Sequence, residues 1–261
     1  MNNWRKLVPC ACTFLALCAG VGSILAAGRG DFLLAAQLIL VSLILDGLDG
    51  TLARLLDAQT EFGAELDTFV DITSFGLAPA VMLYLHPNGL QAFGVWGFLF
   101  AFAYAASGAS RLARFRVVDP YRGQRGYLGL PITVAAGVAA AFMVALECPA
   151  GVNCLPVSLA EGPVSILFWS MLAVLLVLQV SHIRYSKPTK NPQVLIPFLV
   201  CIVLLFIPPV AAWSALLMMV YGVWFGFVSP FFFRRFLVRL EEEAGEPLLE
   251  AAGVMEAEDE P

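Results

Sequence analysis

Residues 46–71, DGLDGTLARLLDAQTEFGAELDTFVD, place four aspartates inside a chain that is otherwise oily. Asp46 and Asp49 are three residues apart and Asp67 and Asp71 four apart, so on two helices each pair shares one face. Two such faces turned toward each other form a pocket of four carboxylates. Away from bulk water each unpaired anion costs several kcal/mol, so such a group needs a positive partner. A divalent cation is the natural one. With no His or Cys in the stretch the donors are all oxygen, which favours a hard ion, Mg²⁺ or Mn²⁺, over zinc.

The neighbours of the acids fit the same reading. Gly50 and Gly63 remove bulk beside the aspartates and Ala53 keeps the surface small, so a ligand can lie close to the helix backbones. Arg54 offers a rigid fork of donors suited to a phosphate or to one of the carboxylates. Asp57 and Glu61 fall in the short link between the pairs and read as solvated residues rather than ligands.

Composition fixes the setting. The 261 residues are 60% hydrophobic and 13% charged, with a mean hydropathy of +0.83, which excludes an ordinary soluble domain and indicates a polytopic membrane protein. The formal charge of -5 is dominated by residues 241–261, which hold nine acids and no base; the body, residues 1–240, carries 15 basic residues against 11 acidic. The body reads as one membrane domain, and the tail as an acidic, disordered cytoplasmic extension. No basic tract interleaved with aromatics points to nucleic acid. Cys10, Cys12, Cys18 and Cys201 lie in apolar runs and read as small core residues, whereas Cys148 and Cys154 share one polar loop where a disulfide is possible.

Apolar runs predict an all-α bundle of about eight transmembrane helices, near residues 7–27, 32–55, 62–84, 91–110, 131–147, 163–181, 193–207 and 211–228. The first is read as a retained helix rather than a cleaved signal. Aspartates 46 and 49 end the second helix and 67 and 71 begin the third, so all four lie at one membrane face. Arg5, Lys6, Arg111, Arg114, Arg116, Arg122, Arg125, Arg184, Lys187, Lys190, Arg234, Arg235 and Arg239 fall on that side of an eight-helix topology. The opposite loops carry only Arg29. The positive-inside rule then makes both termini and the aspartates cytoplasmic.

The stretch resembles the CDP-alcohol phosphatidyltransferase family, whose motif D-x-x-D-G-x-x-A-R, eight residues, G-x-x-x-D-x-x-x-D is complete here in Asp46, Asp49, Gly50, Ala53, Arg54, Gly63, Asp67 and Asp71. The resemblance implies that a CDP-linked lipid donates its phosphatidyl group to an alcohol and CMP leaves. By that analogy Asp46, Asp49, Asp67 and Asp71 bind metal, and Asp71 also acts as general base. Asp46, Asp49, Gly50, Ala53, Arg54, Gly63 and Asp67 bind CDP-diacylglycerol. A homodimer is expected because the family pairs, and a bacterial inner membrane with a cytoplasmic active site is the expected location.

Further segments are similar to the serine-using branch: ITSFGLAPA at 72–80, RLARF at 111–115, GLP at 129–131 with Ala135, Ala136 and Gly137, and VSHIRYSKP at 180–188. Pro9, Thr13, Leu17 and Gly20 also match that branch, with Cys10 and Ala16 where it usually has asparagines. The expected substrates are therefore CDP-diacylglycerol and L-serine, with Arg111, Arg114 and Ser74 as candidates for binding serine or phosphate. Other acceptors remain open, namely glycerol 3-phosphate, inositol phosphate or choline. Different chemistries with paired acids are a membrane prenyltransferase and a metal transporter; the glycine and arginine positions weigh against the first, and the edge location of the acids against the second.

Overall fold

The computed structural model describes residues 4–87, 89–117, 127–147, 163–185, 192–228 and 230–231. Cys148, Cys154, Arg122, Arg125 and the acidic tail 241–261 lie outside the described residues.

Eight helical segments follow the eight apolar runs: α1 (Trp4–Gly28), α2 (Phe32–Leu55), α3 (Glu61–Leu85), α4 (Val95–Val117), α5 (Ile132–Leu146), α6 (Pro163–Val180), α7 (Pro192–Leu204) and α8 (Pro208–Phe227). By length and composition, α1, α2, α3 and the Pro209–Phe227 part of α8 are long and apolar enough to cross a bilayer. Among the described residues the one strand pair is short and antiparallel, β1 (Tyr127–Leu128) with β2 (Arg184–Tyr185), in which Tyr127 faces Tyr185 and Leu128 faces Arg184.

The centre of the bundle is α5. Its residues from Ile132 to Ala145 are buried nearly all round, apart from Thr133. A helix without a polar face has no stable place except the interior, and the small side chains of Ala135, Ala136, Gly137, Ala139, Ala140 and Ala141 let its neighbours come close. On the other side of that contact, a Cβ on Gly222 of α8 would collide with the Val138 side chain.

α1 and α2 form an antiparallel pair. The turn between them is set by Gly30 at a positive φ of 83° and by Asp31, whose side chain accepts from the Leu34 amide at 3.1 Å and caps α2. The pair is then pinned along its length. Ser23 Oγ donates to the Ala35 carbonyl at 2.8 Å and Ser42 Oγ to the Ala16 carbonyl at 2.9 Å. The four described cysteines are free; Cys18 is exposed and Cys10, Cys12 and Cys201 are only partly buried, so they are not the core residues expected from their apolar context. An apolar neighbourhood in a membrane helix marks the lipid face as readily as the interior.

Two local devices bring the aspartate pairs together. α2 ends with Asp57 in the left-handed region at φ 49°, the Asp57 amide donating to the Arg54 carbonyl and the Ala58 amide to the Ala53 carbonyl at 2.9 Å. These are the bonds of a Schellman stop, with aspartate where glycine is usual. Two residues later Thr60 caps α3, its Oγ1 accepting from the Gly63 amide at 3.0 Å. The chain thus reverses over five residues, and the end of α2 meets the start of α3.

α3 is not uniform. It runs as α-helix over Glu61–Asp71, widens into a π-helical turn over Ile72–Leu77, and returns to α-helix over Ala78–Leu85. Pro79 explains the change: it has no amide hydrogen to give to the carbonyl of residue 75, and its ring crowds that carbonyl. The Ala78 amide donates instead to Thr73, five residues back. The widened turn buries Ser74, Phe75 and Gly76 directly beyond Asp71.

Candidate active site

Asp46 and Asp49 are on the last turns of α2; Asp67 and Asp71 are on the second and third turns of α3. One carboxylate oxygen from each of Asp46, Asp49 and Asp67 lies within 4.8 Å of the others. Asp71 joins through Asp46, whose side chain is in hydrogen-bonding contact with both Asp67 and Asp71. Like charges this close repel, so the arrangement calls for a proton or a cation to offset them. The four residues that the sequence pairs two by two therefore make one cluster. Its donors are oxygen only, so the cluster fits a hard divalent cation.

The flanking positions separate into two kinds. A Cβ on Gly50 would meet no protein atom within 4 Å, so internal packing does not account for the glycine, and the surface beside Asp46 and Asp49 is open to close approach. At Gly63 a Cβ would come within 3.1 Å of the Thr60 hydroxyl, so that glycine serves the cap that starts α3. Ala53 is partly buried and Arg54 exposed, with a 3.4 Å hydrogen bond from its guanidinium to Thr51 Oγ1.

The two arginines of α4 part company. Arg111 is 6% exposed and close enough to Asp71 for its charge to act on that carboxyl, which brings a cation to the cluster from a third helix. Arg114 points elsewhere. Its guanidinium donates to the carbonyls of Gln179 at 3.3 Å, Ser181 at 2.7 Å and Val180, closing the C-terminal end of α6. Ser74 is fully buried against α1, where its hydroxyl donates to the Ala16 carbonyl at 3.4 Å and its side chain fills the space left by Gly20.

Arg114 also explains why three separated segments go together. The Gly129 amide donates to the Ile183 carbonyl at 2.9 Å and the Leu130 amide to the Leu178 carbonyl at 3.0 Å, beside the β1–β2 pair. RLARF, GLP and VSHIRY thus tie the end of α4, the start of α5 and the end of α6 into one knot.

One participant was not foreseen. Thr13 of α1, 4% exposed, places its hydroxyl 2.6 Å from Asp49 Oδ2. The sequence signal is its place in the Pro9, Thr13, Leu17 and Gly20 pattern, one turn after Pro9 on the face of α1 that also carries Ala16 and Gly20.

A family model described as CDP-alcohol phosphatidyltransferase matches residues 6–228. Among curated relatives, a protein named CDP-diacylglycerol--serine O-phosphatidyltransferase from Helicobacter pylori (strain ATCC 700392 / 26695) is 34% identical over 230 residues, covering 85% of this chain and 91% of that protein. Proteins of the same name from Methanocaldococcus jannaschii and Bacillus subtilis are 32% identical over 189 residues (72% of this chain, 81% of that protein) and 30% identical over 128 residues (49% and 70%). With this match over most of its length, and with four helices long and apolar enough to cross a bilayer, the chain belongs to the CDP-alcohol phosphatidyltransferase family and is an integral membrane enzyme.

Proposed function

We propose that the enzyme transfers a phosphatidyl group from CDP-diacylglycerol to the hydroxyl of L-serine, giving phosphatidylserine and CMP. The observation that carries the reading is the convergence of Asp46, Asp49 and Asp67 within 4.8 Å, with Asp71 joined to them and Arg111 bearing on Asp71. The names of the relatives support serine as acceptor. So does the pairing of a candidate base with a buried cation. Serine brings a hydroxyl to be deprotonated and a carboxylate to be held, and Asp71 and Arg111 offer one partner for each.

In this reading Asp46, Asp49, Asp67 and Asp71 hold Mg²⁺ or Mn²⁺, and Gly50, Ala53, Arg54 and Gly63 frame the donor. A bound divalent ion supplies positive charge to the donor pyrophosphate and to the departing CMP. Asp71 takes the proton of the serine hydroxyl as that oxygen bonds to the phosphorus carrying diacylglycerol. The bond from this phosphorus to the bridging oxygen breaks, and CMP leaves with the electron pair. Arg111 holds the serine carboxylate so that the hydroxyl faces Asp71. Arg114 supports the site by holding the end of α6, and Ser74 by fixing the widened turn against α1.

The chemistry favours a membrane edge, where acyl chains stay in the bilayer while serine and CMP exchange with water. We place that edge on the cytoplasmic side of a bacterial inner membrane, with eight crossings, both termini cytoplasmic and two copies paired. The test is CMP release by purified protein from CDP-diacylglycerol with Mn²⁺ or Mg²⁺, offered L-serine, glycerol 3-phosphate, inositol phosphate and choline separately. Release with serine alone is expected. Release only with glycerol 3-phosphate would sink the serine assignment, and undiminished release after chelation would sink the metal.

A further inference from the structure

We propose that Thr13 is a positioning residue for the metal site, its hydroxyl fixing the Asp49 carboxylate so that an oxygen faces Asp46 and Asp67. The proposal rests on the reading of those aspartates as metal ligands.

A carboxylate on a helix can rotate about its last bond, and three carboxylates converging from two helices repel one another. A ligand set of this kind is held in orientation by outer hydrogen bonds, whose removal typically costs metal sites 10- to 100-fold in affinity. Asp49 is 6% exposed, so solvent does little of this work. Thr13 Oγ1 is 2.6 Å from Asp49 Oδ2 and 3.0 Å from the Pro9 carbonyl. A hydroxyl has one proton to give, and the shorter distance is that of a hydrogen bond to a carboxylate. The Pro9 carbonyl, 3.0 Å away, is the competing acceptor of that same proton, the back-bond a threonine otherwise makes within a helix.

The helix presenting Thr13 is itself held. The Ala16 carbonyl, one turn on, accepts from Ser42 of α2 and from Ser74 of the widened turn, so α1 is tied to both helices that carry aspartates. Ser23 adds a third tie. Thr13 therefore acts from a scaffold whose position does not depend on the Thr13 hydroxyl, and Thr13→Val, of nearly the same shape, removes the donor without removing those ties.

The test is Mn²⁺ titration of the full-length purified protein, followed by the electron paramagnetic resonance of the unbound ion. Thr13→Val is expected to bind Mn²⁺ roughly 10- to 100-fold more weakly, and Thr13→Ala, a smaller replacement, to show the same loss. Thr13→Ser, which keeps the donor, is expected within about threefold of wild type. Ser42→Ala breaks a neighbouring α1–α2 bond without touching a carboxylate and is expected to bind as wild type. The Mn²⁺ concentration for half-maximal CMP release should rise in step for Thr13→Val, while the serine KM at saturating Mn²⁺ stays unchanged. Wild-type affinity in Thr13→Val and Thr13→Ala overturns the role of Thr13 and leaves the metal site standing. An equal loss in Ser42→Ala overturns it in favour of helix packing. A wild-type protein that binds no Mn²⁺ overturns the metal-site reading and this proposal with it.

Discussion

Asp71 differs from the other three aspartates in its company. Asp46, Asp49 and Asp67 face one another closely enough to share an ion, whereas Asp71 touches the group through Asp46 and also feels Arg111 from another helix. In the proposed metal site, a carboxylate at the rim of the cluster and beside Arg111 is well placed to take a proton from a substrate held between the two. Asp71→Asn keeps the size and a polar contact to Asp46 but cannot accept that proton. It is expected to slow single-turnover CMP release by about 10²- to 10⁴-fold, with the protein still folded and Mn²⁺ still bound through the remaining aspartates. A rate within tenfold of wild type would remove Asp71 from the base role. At this scale much was legible beforehand, because spacings of three and four put the acids on helix faces whatever the fold does around them. The directions of long side chains were not. Arg111 and Arg114 share a face in the sequence, yet one guanidinium turns to Asp71 and the other to helix carbonyls, a choice made by the end of α6, some 65 residues away.

At the scale of elements, apolar runs located the eight helices among the described residues, four of them long and apolar enough to cross a bilayer, because length and hydrophobicity can be counted. The features that shape the site have no such period. The π turn after Asp71 follows from one missing amide at Pro79, and the β1–β2 pair is two residues long, too short to show alternation. The knot around Arg114 has the same character, since it exists only once α4, α5 and α6 have docked. Its worth can be measured separately from catalysis. Hydrogen bonds from a charged donor contribute roughly 1.5–3 kcal/mol each, and partial exposure of Arg114 lowers that figure. Arg114→Ala is expected to lower the midpoint of thermal unfolding in detergent while the folded fraction keeps its serine KM. Arg111→Ala is expected to do the reverse, raising the serine KM at least tenfold with a smaller change in the midpoint. If Arg114→Ala instead raised the serine KM with the midpoint unmoved, its guanidinium would belong to the substrate.

At the scale of the molecule, contacts sort the loops into two ends. The 56–60 link, Arg111, Arg114 and residues 181–185 gather at the end that holds the aspartates. At the other end the turn between α1 and α2 lies near His86, which pairs with Glu147 at 2.8 Å across the ends of α3 and α5 and sets its ring edge-on against Phe32. Arg111, Arg114 and the 184–185 backbone belong to the aspartate end, and by sequence residues 111–125 hold five arginines and 184–190 three basic residues. The positive-inside rule then predicts that this end faces the cytoplasm, the side on which the proposed exchange of serine and CMP would take place. Alkaline phosphatase, which matures only outside the cytoplasm because it needs disulfides, reports on this directly. Fused after Gly151, between α5 and α6, it is expected to be active; fused after Lys190, between α6 and α7, it is expected to be inactive. The opposite pattern would put the aspartates on the outer face, where a nucleotide-linked donor made inside the cell could not reach them, and would overturn the orientation on which the reaction depends.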